Sequence, residues 1–465
     1  MKYDFVIIGT GPSGSVIASN LAKKGFKIAM IDRATNIKSI SDNTSFIFSP
    51  YINKTPFNYT PLFSNQLGGN SALWHNKIYL LSKKEFNSEN WGFKYEELRK
   101  NSLDLSKKLK VNHKNINNIF VKKKLNYSKS YRASKLGNLF NYLNINSINN
   151  IDVYTHSSPI KLVFDNKRIV KSIIIRNLKD TLDIKLSVSK SIIFCAGGLG
   201  NPNILQNLLK NYNKNIGKKL CDHPHVNIGN FKPQTVKNSL QFSKYFFKKN
   251  SYVENNLFIK KNNYFIGIQL DLLGDTERII KKIYCKINVL ISNFMLKILI
   301  NYYSLSKKIL NKILQLLNLK NEHSYEFFFS QQKSNDNSIN LNKNYKDSFS
   351  NFKSDINWKI SKNDLNIYNK SINFLIGENG LIIKTNKKYY FTSKKMFVGL
   401  HPSCTTEISN NKSRGCVDKN LKLFDYKNLY VCGSSVFKLN GFTNPTWTIM
   451  TLASRLSKHL EKKYR

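Results

Sequence analysis

The sequence has 465 residues, long enough for two domains of ordinary size, and its hydrophobic fraction of 41% is ordinary for a soluble protein. The 74 Lys+Arg against 28 Asp+Glu give a formal net charge of +46, but no nucleic-acid-binding module accompanies it, so we predict no nucleic-acid partner. Two interpretations of the charge stay open: a compositional bias toward lysine over a solvated surface, or attraction to an anionic membrane or substrate.

The first 32 residues predict a dinucleotide-binding unit. An apolar run, Asp4-Phe-Val-Ile-Ile, predicts a buried parallel strand and leads into Gly9-Thr-Gly-Pro-Ser-Gly14. Residues 15–24 then predict a helix, and Lys27-Ile-Ala-Met-Ile predicts a second strand that ends at Asp32. This order of strand, G-x-G-x-x-G, helix, strand and acidic residue is the full context of the fingerprint, which places a pyrophosphate at the helix N-terminus. The motif leaves NAD and FAD as alternatives.

Glycines and small residues recur further along the chain. Gln66-Leu-Gly-Gly-Asn-Ser-Ala-Leu-Trp is suited to backbone that lies against a flat ligand, and residues 90–109 show a helical pattern. Residues 152–188 predict strands joined by turns. Ser191-Ile-Ile-Phe predicts a further strand, which ends in Cys195-Ala-Gly-Gly-Leu-Gly before a short helix. A glycine turn at the end of another strand predicts a second wall of the same ligand site.

Residues 226–395 lack a glycine fingerprint and predict a second domain of short strands, polar turns and a helix over 364–375. We expect this second domain to cover the ligand. Within it, residues 279–318 are rich in lysine and apolar residues, but their uncharged runs are too short to cross a bilayer. Two interpretations stay open: helices packed over the active site as ordinary core, or basic amphipathic helices on an anionic membrane surface.

The last seventh of the chain places a histidine and an asparagine on two segments beside glycine-rich turns. His401 lies in Gly399-Leu-His-Pro-Ser-Cys-Thr-Thr-Glu, and Asn444 lies in Gly441-Phe-Thr-Asn-Pro-Thr-Trp. A neutral imidazole can accept the proton of a substrate hydroxyl, and a carboxamide N–H can stabilise the developing alkoxide. Breaking a carbon–hydrogen bond also requires a hydride acceptor nearby, and the N-terminal dinucleotide unit predicts one.

Six cysteines are scattered without a C-x-x-C pair, which predicts free thiols in a reducing compartment and neither a disulfide framework nor a metal site. The chain begins Met1-Lys-Tyr-Asp and enters its first predicted strand directly, so we expect no signal peptide. We therefore expect a cytoplasmic protein, with peripheral contact to the inner face of a membrane if residues 279–318 bind lipid.

Together these motifs resemble the glucose–methanol–choline (GMC) family of flavin oxidoreductases, over most of the chain and in the family's order. Residues 9–32 resemble the family's FAD-binding start, and Leu67-Gly-Gly-Asn-Ser-Ala-Leu-Trp resembles its glycine–serine loop at the flavin. Further stretches similar to family motifs are Trp91-Gly-Phe-Lys-Tyr-Glu-Glu-Leu, Cys195-Ala-Gly-Gly-Leu-Gly-Asn-Pro-Asn-Ile-Leu, Gly217-Lys-Lys-Leu-Cys-Asp-His-Pro, Asn428-Leu-Tyr-Val-Cys-Gly-Ser-Ser-Val-Phe and Asn444-Pro-Thr-Trp-Thr-Ile.

The resemblance implies an α/β fold with two domains and FAD as the cofactor. The Rossmann-like FAD-binding domain would comprise residues 1–225 and 396–465, with residues 70–150 as flavin-covering loops and helices. An α+β substrate domain of residues 226–395 would be built on an antiparallel sheet. The implied cofactor-binding residues are Gly9, Gly11, Pro12, Ser13, Gly14, Asp32, Arg33, Gly68, Gly69, Asn70, Ser71, Ala196, Gly197, Gly433, Ser434, Asn444, Pro445 and Thr446.

The resemblance also implies oxidation of the CH–OH group of an alcohol such as a sugar or polyol. His401 would take the hydroxyl proton while hydride passes to flavin N5, and Asn444 would bind the same oxygen. Leu73 stands where some members carry a histidine bonded to the flavin, so we expect noncovalent FAD. The electron acceptor, whether oxygen, a quinone or a cytochrome, stays open. We expect no metal, structural roles for His223 and His225, and no flavin contact from His75.

Three residues depart from the family's His-x-x-Gly-Thr-x-Arg-Met, which reads His401-Pro-Ser-Cys-Thr-Thr-Glu-Ile here. Cys404 replaces a glycine, Glu407 an arginine and Ile408 a methionine. A glycine-to-cysteine change adds bulk where backbone approaches the flavin closely. These departures motivate an alternative hypothesis: a flavin-binding protein, with or without membrane association, that has lost alcohol oxidation.

Overall fold

The computed structural model describes residues 1–34, 46–48, 64, 66–74, 76–111, 120–122, 125–133, 136–231, 246–248, 251–261, 264–271, 323–378, 380, 383–397 and 401–465. The strands are β1 (Lys2–Ile8), β2 (Ile28–Ile31), β3 (Phe46–Phe48), β4 (Lys77–Ile78), β5 (Phe120–Lys122), β6 (Leu125–Ala133), β7 (Ile151–Tyr154), β8 (Ser157–Phe164), β9 (Val170–Asn177), β10 (Leu182–Phe194), β11 (His225–Phe231), β12 (Phe246–Lys248), β13 (Ser251–Lys261), β14 (Tyr264–Asp271), β15 (His323–Phe329), β16 (Ser338–Lys346), β17 (Phe352–Asn357), β18 (Ile376–Gly377), β19 (Ile383–Lys384) and β20 (Leu429–Val431). The α-helices are α1 (Pro12–Ala22), α2 (Lys83–Phe86), α3 (Tyr95–Lys108), α4 (Leu139–Tyr142), α5 (Gly197–Leu208), α6 (Lys362–Leu375) and α7 (Thr446–Tyr464). Short 3-10 helices cover Gly69–Ala72, Ile145–Ser147, Ser393–Lys395 and Ser434–Val436.

The first sheet contains the parallel strands that the N-terminal fingerprint predicts. Its strand order is β7-β2-β1-β10-β9-β8, with β20 also paired to β10. β1 runs parallel to β2 and β10, and β2 and β10 run parallel to β7 and β20, respectively. β1 and β2 are buried along nearly their whole length, which explains why both are apolar runs without alternation. α1 packs against α7, so the two ends of the chain share one core.

β10 is a single strand of 13 residues, where the sequence suggested two separate strands. Residues 182–187 pair antiparallel with β9, and residues 187–194 pair in parallel with β1. Exposed and buried residues alternate in the first half, but residues 191–194 are all buried. The strand passes from the margin of the sheet to its centre. Because its two halves lie in different surroundings, they have different sequence patterns, and the sequence does not indicate one continuous strand.

The second sheet is antiparallel and carries a helix, which confirms the α+β prediction for this part of the fold. Its order is β11-β15-β14-β13-β6-β4, with β12 on β13 and β5 on β6, and every pairing is antiparallel. Tyr368 of α6 stacks on Phe329 of β15, with ring centroids 4.3 Å apart, and meets Tyr264 of β14 edge-on. Smaller sheets join β16, β17 and β3, and β18 and β19.

The second sheet also includes strands that the sequence assigned elsewhere. Residues 70–150 were expected to be loops and helices of the FAD-binding domain, but β4, β5 and β6 belong to the second sheet. β6 pairs with β13 from Ser251–Ala133 to Phe258–Asn126. This pairing joins segments more than a hundred residues apart, which local patterns do not record. The remaining division into 1–225 with 396–465, and 226–395, stays a prediction.

Within the described part of the chain, no helix combines the length and the apolar composition needed to cross a membrane. Residues 279–318, for which a packed core and a membrane surface were the alternatives, lie outside the described residues. Both interpretations of that segment therefore stay predictions. The five cysteines that the structure describes are buried free thiols.

Candidate active site

Three glycine turns meet where β1, β10 and β20 end. They are Gly9–Gly14 after β1, Ala196–Gly197 after β10 and Gly433–Ser434 after β20. β1 and β20 both pair with β10, so the turns are neighbours at one edge of the sheet. Gly9 has a φ of 103°, and a side-chain carbon there would lie 2.7 Å from the carbonyl oxygen of Cys195. The predicted first and second walls of the ligand site therefore lie in contact.

α1 begins at this junction with Pro12 in its first turn, followed by Ser13. Its N-terminus has no capping side chain and no acidic residue, so backbone N–H groups there are left to a ligand. A side-chain carbon at Gly14 would overlap the carbonyl oxygen of Gly9, which makes glycine necessary for this close packing. At Gly11 such a carbon would meet nothing within 4 Å. The turn thus faces open space at a helix N-terminus, the arrangement that receives a pyrophosphate.

The loop from Gly68 to Ser71 lies against the same turn. A side-chain carbon on Gly69 would be 3.4 Å from the Cα atom of Gly11. Ser71 Oγ donates to the carbonyl oxygen of Gly68 at 2.6 Å, and Asn70 Oδ1 accepts a backbone N–H from six residues earlier at 3.0 Å. The predicted glycine–serine loop therefore lies beside the dinucleotide turn.

Asp32 and Arg33 follow β2, and both contact protein groups. Asp32 Oδ2 accepts hydrogen bonds from the backbone N–H and the hydroxyl of Thr10, each at 2.6 Å, so the carboxylate fixes the first glycine turn. A carboxylate oxygen can accept more than one hydrogen bond, which leaves Asp32 able to bind a ribose hydroxyl. Arg33 Nη1 lies 2.9 Å from Asp347 Oδ2, and its other nitrogens donate to Ser158. This geometry favours a structural contact for Arg33, and its role toward the cofactor stays a prediction.

His401 and Asn444 meet although 43 residues separate them: Asn444 Nδ2 lies 3.4 Å from His401 Nε2. Asn444 directly precedes Pro445, the N-cap of α7, and Thr446, its first residue. The backbone N–H of His401 lies 3.1 Å from both carboxylate oxygens of Asp222. The start of a long helix and a buried carboxylate thus position the two predicted catalytic side chains.

His223 lies on the other side of the His401 ring. Its Nε2 atom is 2.8 Å from His401 Nδ1. Burial, and then the neighbouring bases, lower the pKa of His223 well below its ordinary value, so this ring is neutral. Since the amide N–H of Asn444 faces His401 Nε2, the compatible tautomer of His401 carries its proton on Nδ1 and donates it to His223. The remaining lone pair of His401 then lies on Nε2, beside Asn444.

Asp222 holds both histidines through backbone contacts. It also accepts the backbone N–H of His223 at 2.7 Å. Burial raises the pKa of Asp222 to about 7, although the hydrogen bonds from the backbone of His401 and His223 act in the opposite direction. Asp222, His223 and His401 bring potential metal-ligand atoms within 4.8 Å of one another. The hydrogen bonds described above already engage these side chains with each other and with the backbone.

A cavity of about 70 Å³ lies beside the His401–Asn444 pair. Burial lowers the pKa of the bordering His225 to about 4, and His225 Nε2 lies 3.4 Å from Glu326 Oε1. The described lining residues come from the second sheet and from segments joined to the first: Lys77, His223, His225, Gly267, Ile268, Phe328, His401, Phe442, Thr443 and Asn444. A small molecule in this cavity would contact His401 and Asn444.

Two family models match the two ends of this site. A model of the NAD(P)-binding Rossmann-like domain matches residues 7–75, which contain the first glycine turn and the glycine–serine loop. A model of GMC oxidoreductases matches residues 378–453, which contain His401 and Asn444. The segment that carries both predicted catalytic residues therefore belongs to the GMC oxidoreductases.

Two solved structures of formate oxidase from Aspergillus oryzae RIB40, both arginine variants studied for their effect on FAD modification, have this fold. They cover 100% of this chain and 98% of their own, with TM-scores of 0.60 and 0.59 at 12% identity, which shows the fold alone. A geranylgeranyl diphosphate reductase from Rhodobacter capsulatus is 50% identical over 38 residues, or 8% of this chain. That match spans only 10% of the reductase, so it bears on a short segment and not on the whole protein.

The cofactor of this protein is FAD. The residues present fit it, since the turn at Gly11 is open, α1 has an uncapped N-terminus and the Gly68–Ser71 loop lies beside both. Asn201 strengthens the frame on the far side: its Oδ1 accepts the backbone N–H of Ala196 at 2.7 Å, and its Nδ2 donates to Ser435 at 2.9 Å. Asn201 thus links the second and third glycine turns.

The three departures from the GMC motif lie in buried structure and not among the cavity-lining residues. Cys404 has a φ of 70°, so this position keeps the left-handed backbone that suits the family's glycine. Glu407 is 3% exposed and pairs with three lysines, at 2.7 Å (Lys219), 2.9 Å (Lys333) and 3.0 Å (Lys438). Ile408 is fully buried. The structure therefore accommodates each replacement locally.

Sequence reasoning missed two features of this site. His223 was expected to be only structural, yet it forms a direct hydrogen bond with His401. Lys77 was not singled out, yet it lines the cavity. A lysine before the apolar run Ile78-Tyr79-Leu80-Leu81 was the available signal for Lys77, and the polar cluster Asp-His-Pro-His was the signal for His223. His75 lies outside the described residues.

Proposed function

We propose that this GMC oxidoreductase oxidises the CH–OH group of an alcohol donor, with a sugar or polyol as the donor class. The observation that carries the proposal is the His401–Asn444 pair at the wall of a cavity, with 3.4 Å between His401 Nε2 and Asn444 Nδ2. Such a pair provides one hydrogen-bond acceptor and one donor at a single point, which is what a hydroxyl group that becomes an alkoxide requires.

In this proposal His401 is the general base. Its Nε2 atom accepts the hydroxyl proton, and the positive charge that arises on the ring is stabilised by the hydrogen bond from Nδ1 to His223. Asn444 donates its amide N–H to the same substrate oxygen and so holds the carbinol in place. FAD, when bound, supplies the hydride acceptor.

We also propose that FAD is held without a covalent bond. Leu73, which stands where some members of the family carry the linking histidine, has a hydrocarbon side chain that cannot form such a bond. Its 43% exposure places it at an open surface of the loop beside the first glycine turn. Denaturation with acid should release the entire flavin into the supernatant, and flavin that stays with the precipitated chain would contradict this assignment.

The alternative hypothesis, a flavin-binding protein without alcohol oxidation, depended on Cys404, Glu407 and Ile408. None of these side chains is among the described residues that line the cavity. Their replacement therefore leaves the His401–Asn444 pair and its surroundings intact, which supports the hypothesis of a protein that oxidises alcohols. Anaerobic reduction of the flavin by alcohols distinguishes the two hypotheses.

The test is anaerobic reduction of the FAD-loaded protein by a panel of sugars, polyols and simple alcohols, followed by flavin absorbance. At least one donor should bleach the flavin, and reoxidation by oxygen, a quinone or cytochrome c then identifies the acceptor. His401→Ala should slow reduction by about 10²- to 10⁴-fold and Asn444→Ala by about 10²- to 10³-fold. His459→Ala is the matched control, since His459 lies on α7 and outside the described cavity lining. The flavin of this variant should be reduced at the wild-type rate. If both active-site variants are reduced as fast as the wild type, the assigned mechanism is wrong.

A further inference from the structure

Three buried polar residues link the chain segments that carry the catalytic pair. They are Asp222, Gln331 and Asn440, and each is 4% exposed. The carboxylate of Asp222 accepts the backbone N–H of His401, and Asn440 lies four residues before Asn444. Gln331 follows shortly after the end of β15. Contacts among these three residues therefore connect the second sheet to both members of the pair.

The three residues form a closed ring of hydrogen bonds, the Asp222–Gln331–Asn440 ring. The backbone N–H of Asp222 donates to Oε1 of Gln331 at 3.2 Å. The backbone N–H of Gln331 donates to Oδ1 of Asn440, also at 3.2 Å. Nδ2 of Asn440 donates to the carbonyl oxygen of Asp222 and closes the ring. Removal of one side chain would leave buried polar groups of its neighbours without these partners, which is the costly way to lose a hydrogen bond.

Gln331 is held on its other side as well. Its Oε1 atom also accepts the indole N–H of Trp358 at 2.8 Å, and its Nε2 atom donates to the carbonyl oxygen of Lys359 at 2.7 Å. Trp358 and Lys359 directly follow β17. The Asp222–Gln331–Asn440 ring is therefore anchored to a second piece of regular structure.

Asn440 holds the segment that leads to Asn444. Gly441 comes next in the chain, with a φ of 65°. A glycine allows several backbone conformations, so the hydrogen bonds of Asn440 restrict this segment at a point where its own backbone does not. At the other end of the segment, Asn444 is followed by Pro445, the N-cap of α7.

From these contacts we propose that Asn440 and Gln331 are positioning residues, which set the separation of 3.4 Å between His401 Nε2 and Asn444 Nδ2. Neither of them is among the described residues that line the cavity, so both act through the catalytic pair. The proposal rests on the proposed function, because the separation matters only if both side chains bind one substrate oxygen. A displacement of about 1 Å at such a pair can slow a reaction about 10²-fold.

The first measurement is stopped-flow anaerobic reduction of the FAD-loaded protein. Asn440→Leu fills similar space and removes both hydrogen bonds. It should lower the limiting rate by about 10- to 100-fold and change the dissociation constant of the donor by less than about threefold. A wild-type limiting rate in folded, FAD-loaded Asn440→Leu overturns the proposal.

Asn428→Leu is the matched control. Asn428 is also 4% exposed, and its amide also hydrogen-bonds the backbone of two other segments, at Val170 and Lys190. Because these contacts lie within the first sheet, Asn428→Leu should lower stability but keep the wild-type limiting rate. If both leucine variants slow reduction equally, the effect of Asn440 is general destabilisation, and the proposal is wrong.

A double-mutant cycle tests whether Asn440 acts through Asn444. In an Asn444→Ala background, Asn440→Leu should slow reduction further by less than about threefold, because the amide whose position it sets is already absent. A loss as large as in the wild-type background would show that the two residues act independently, and it would contradict the proposal.

Two variants of Gln331 test the same ring without a change at Asn440. Gln331→Met keeps the length of the side chain but removes the acceptor for the backbone N–H of Asp222, so the limiting rate should fall by about 10-fold. Gln331→Glu keeps an oxygen at the position of Oε1 and should retain most of the rate. These variants also decide the question if Asn440→Leu does not fold, and equal rates in the two would refute the role of Gln331.

Hydrogen exchange of the FAD-loaded protein gives a measurement that does not depend on turnover. The backbone amides of residues 441–446 should exchange at least about fivefold faster in Asn440→Leu than in the wild type, whereas Asn428→Leu should leave them unchanged. Unchanged exchange in Asn440→Leu would mean that the ring does not hold this segment, which overturns the proposal.

The two proposals fail in different ways. If an alcohol reduces the flavin in a reaction that depends on His401 and Asn444, while Asn440→Leu keeps the wild-type rate and exchange, the positioning role is wrong and the proposed function stands. If exchange rises in Asn440→Leu as expected but no alcohol reduces the flavin of the wild type, the ring stands as the anchor of the Asn444 segment and alcohol oxidation is wrong.

Discussion

Replacement of His223 by leucine tests whether this residue positions His401. In the folded protein, His223 Nε2 lies 2.8 Å from His401 Nδ1 and is the acceptor that the His401 tautomer requires. Leucine fills similar space but accepts no hydrogen bond, so the Nδ1–H group of His401 loses this partner at the moment the ring becomes positively charged. A hydrogen bond to a charged group contributes about 1.5–3 kcal/mol. His223→Leu should therefore slow flavin reduction by about 10- to 150-fold.

The assay is stopped-flow anaerobic reduction of the FAD-loaded protein across a range of donor concentrations. The limiting rate should fall while the dissociation constant of the donor changes little, because His223 acts through His401 and does not bind the hydroxyl group. His223→Gln is the matched control: its Oε1 atom can stand near the position of Nε2 and accept the same proton, so it should recover most of the rate. A limiting rate unchanged in His223→Leu, or equal loss in both variants, would refute the assignment.

Three further predictions concern stability, measured by urea denaturation. Burial raises the pKa of Asp222 to about 7 from its ordinary 3.8, so its contribution to stability is present at acid pH and is lost as the pH rises through 7, by roughly 4 kcal/mol. Asp222→Asn should therefore flatten the dependence of the free energy of unfolding on pH between pH 4 and 8. Equal pH dependence in the wild type and the variant would contradict this prediction. Cys404 has a φ of 70°, so Cys404→Val should lower the free energy of unfolding by about 1–3 kcal/mol and Cys404→Gly by less, and the reverse order would show that the backbone is not strained there. Glu407→Gln leaves three lysines without their shared carboxylate, so it should lower the free energy of unfolding by about 2–4 kcal/mol, and 0.5 M salt should restore part of this loss. An unchanged free energy of unfolding would mean that the lysines are already solvated.

Local order along the chain was enough to predict the FAD-binding half of the site. Strand, glycine turn and helix are consecutive in residues 2–22, and the geometry of the turn follows from the glycines themselves. The Gly68–Ser71 loop and the turn after β10 could be predicted for the same reason. The two-strand prediction for β10 was wrong because its surroundings change along its length, and a sequence pattern reports surroundings.

The amino-acid sequence by itself indicated which side chains are candidates for the chemistry, a histidine and an asparagine beside glycine turns, and which cofactor framework accompanies them. Only the tertiary structure decided what surrounds them. His223 lies 178 residues before His401, and β4 reaches the cavity through its pairing with β6 in the second sheet, which brings Lys77 to the same place. Such contacts depend on how distant segments pack and pair, and the periodicity of a segment records only which of its faces is buried.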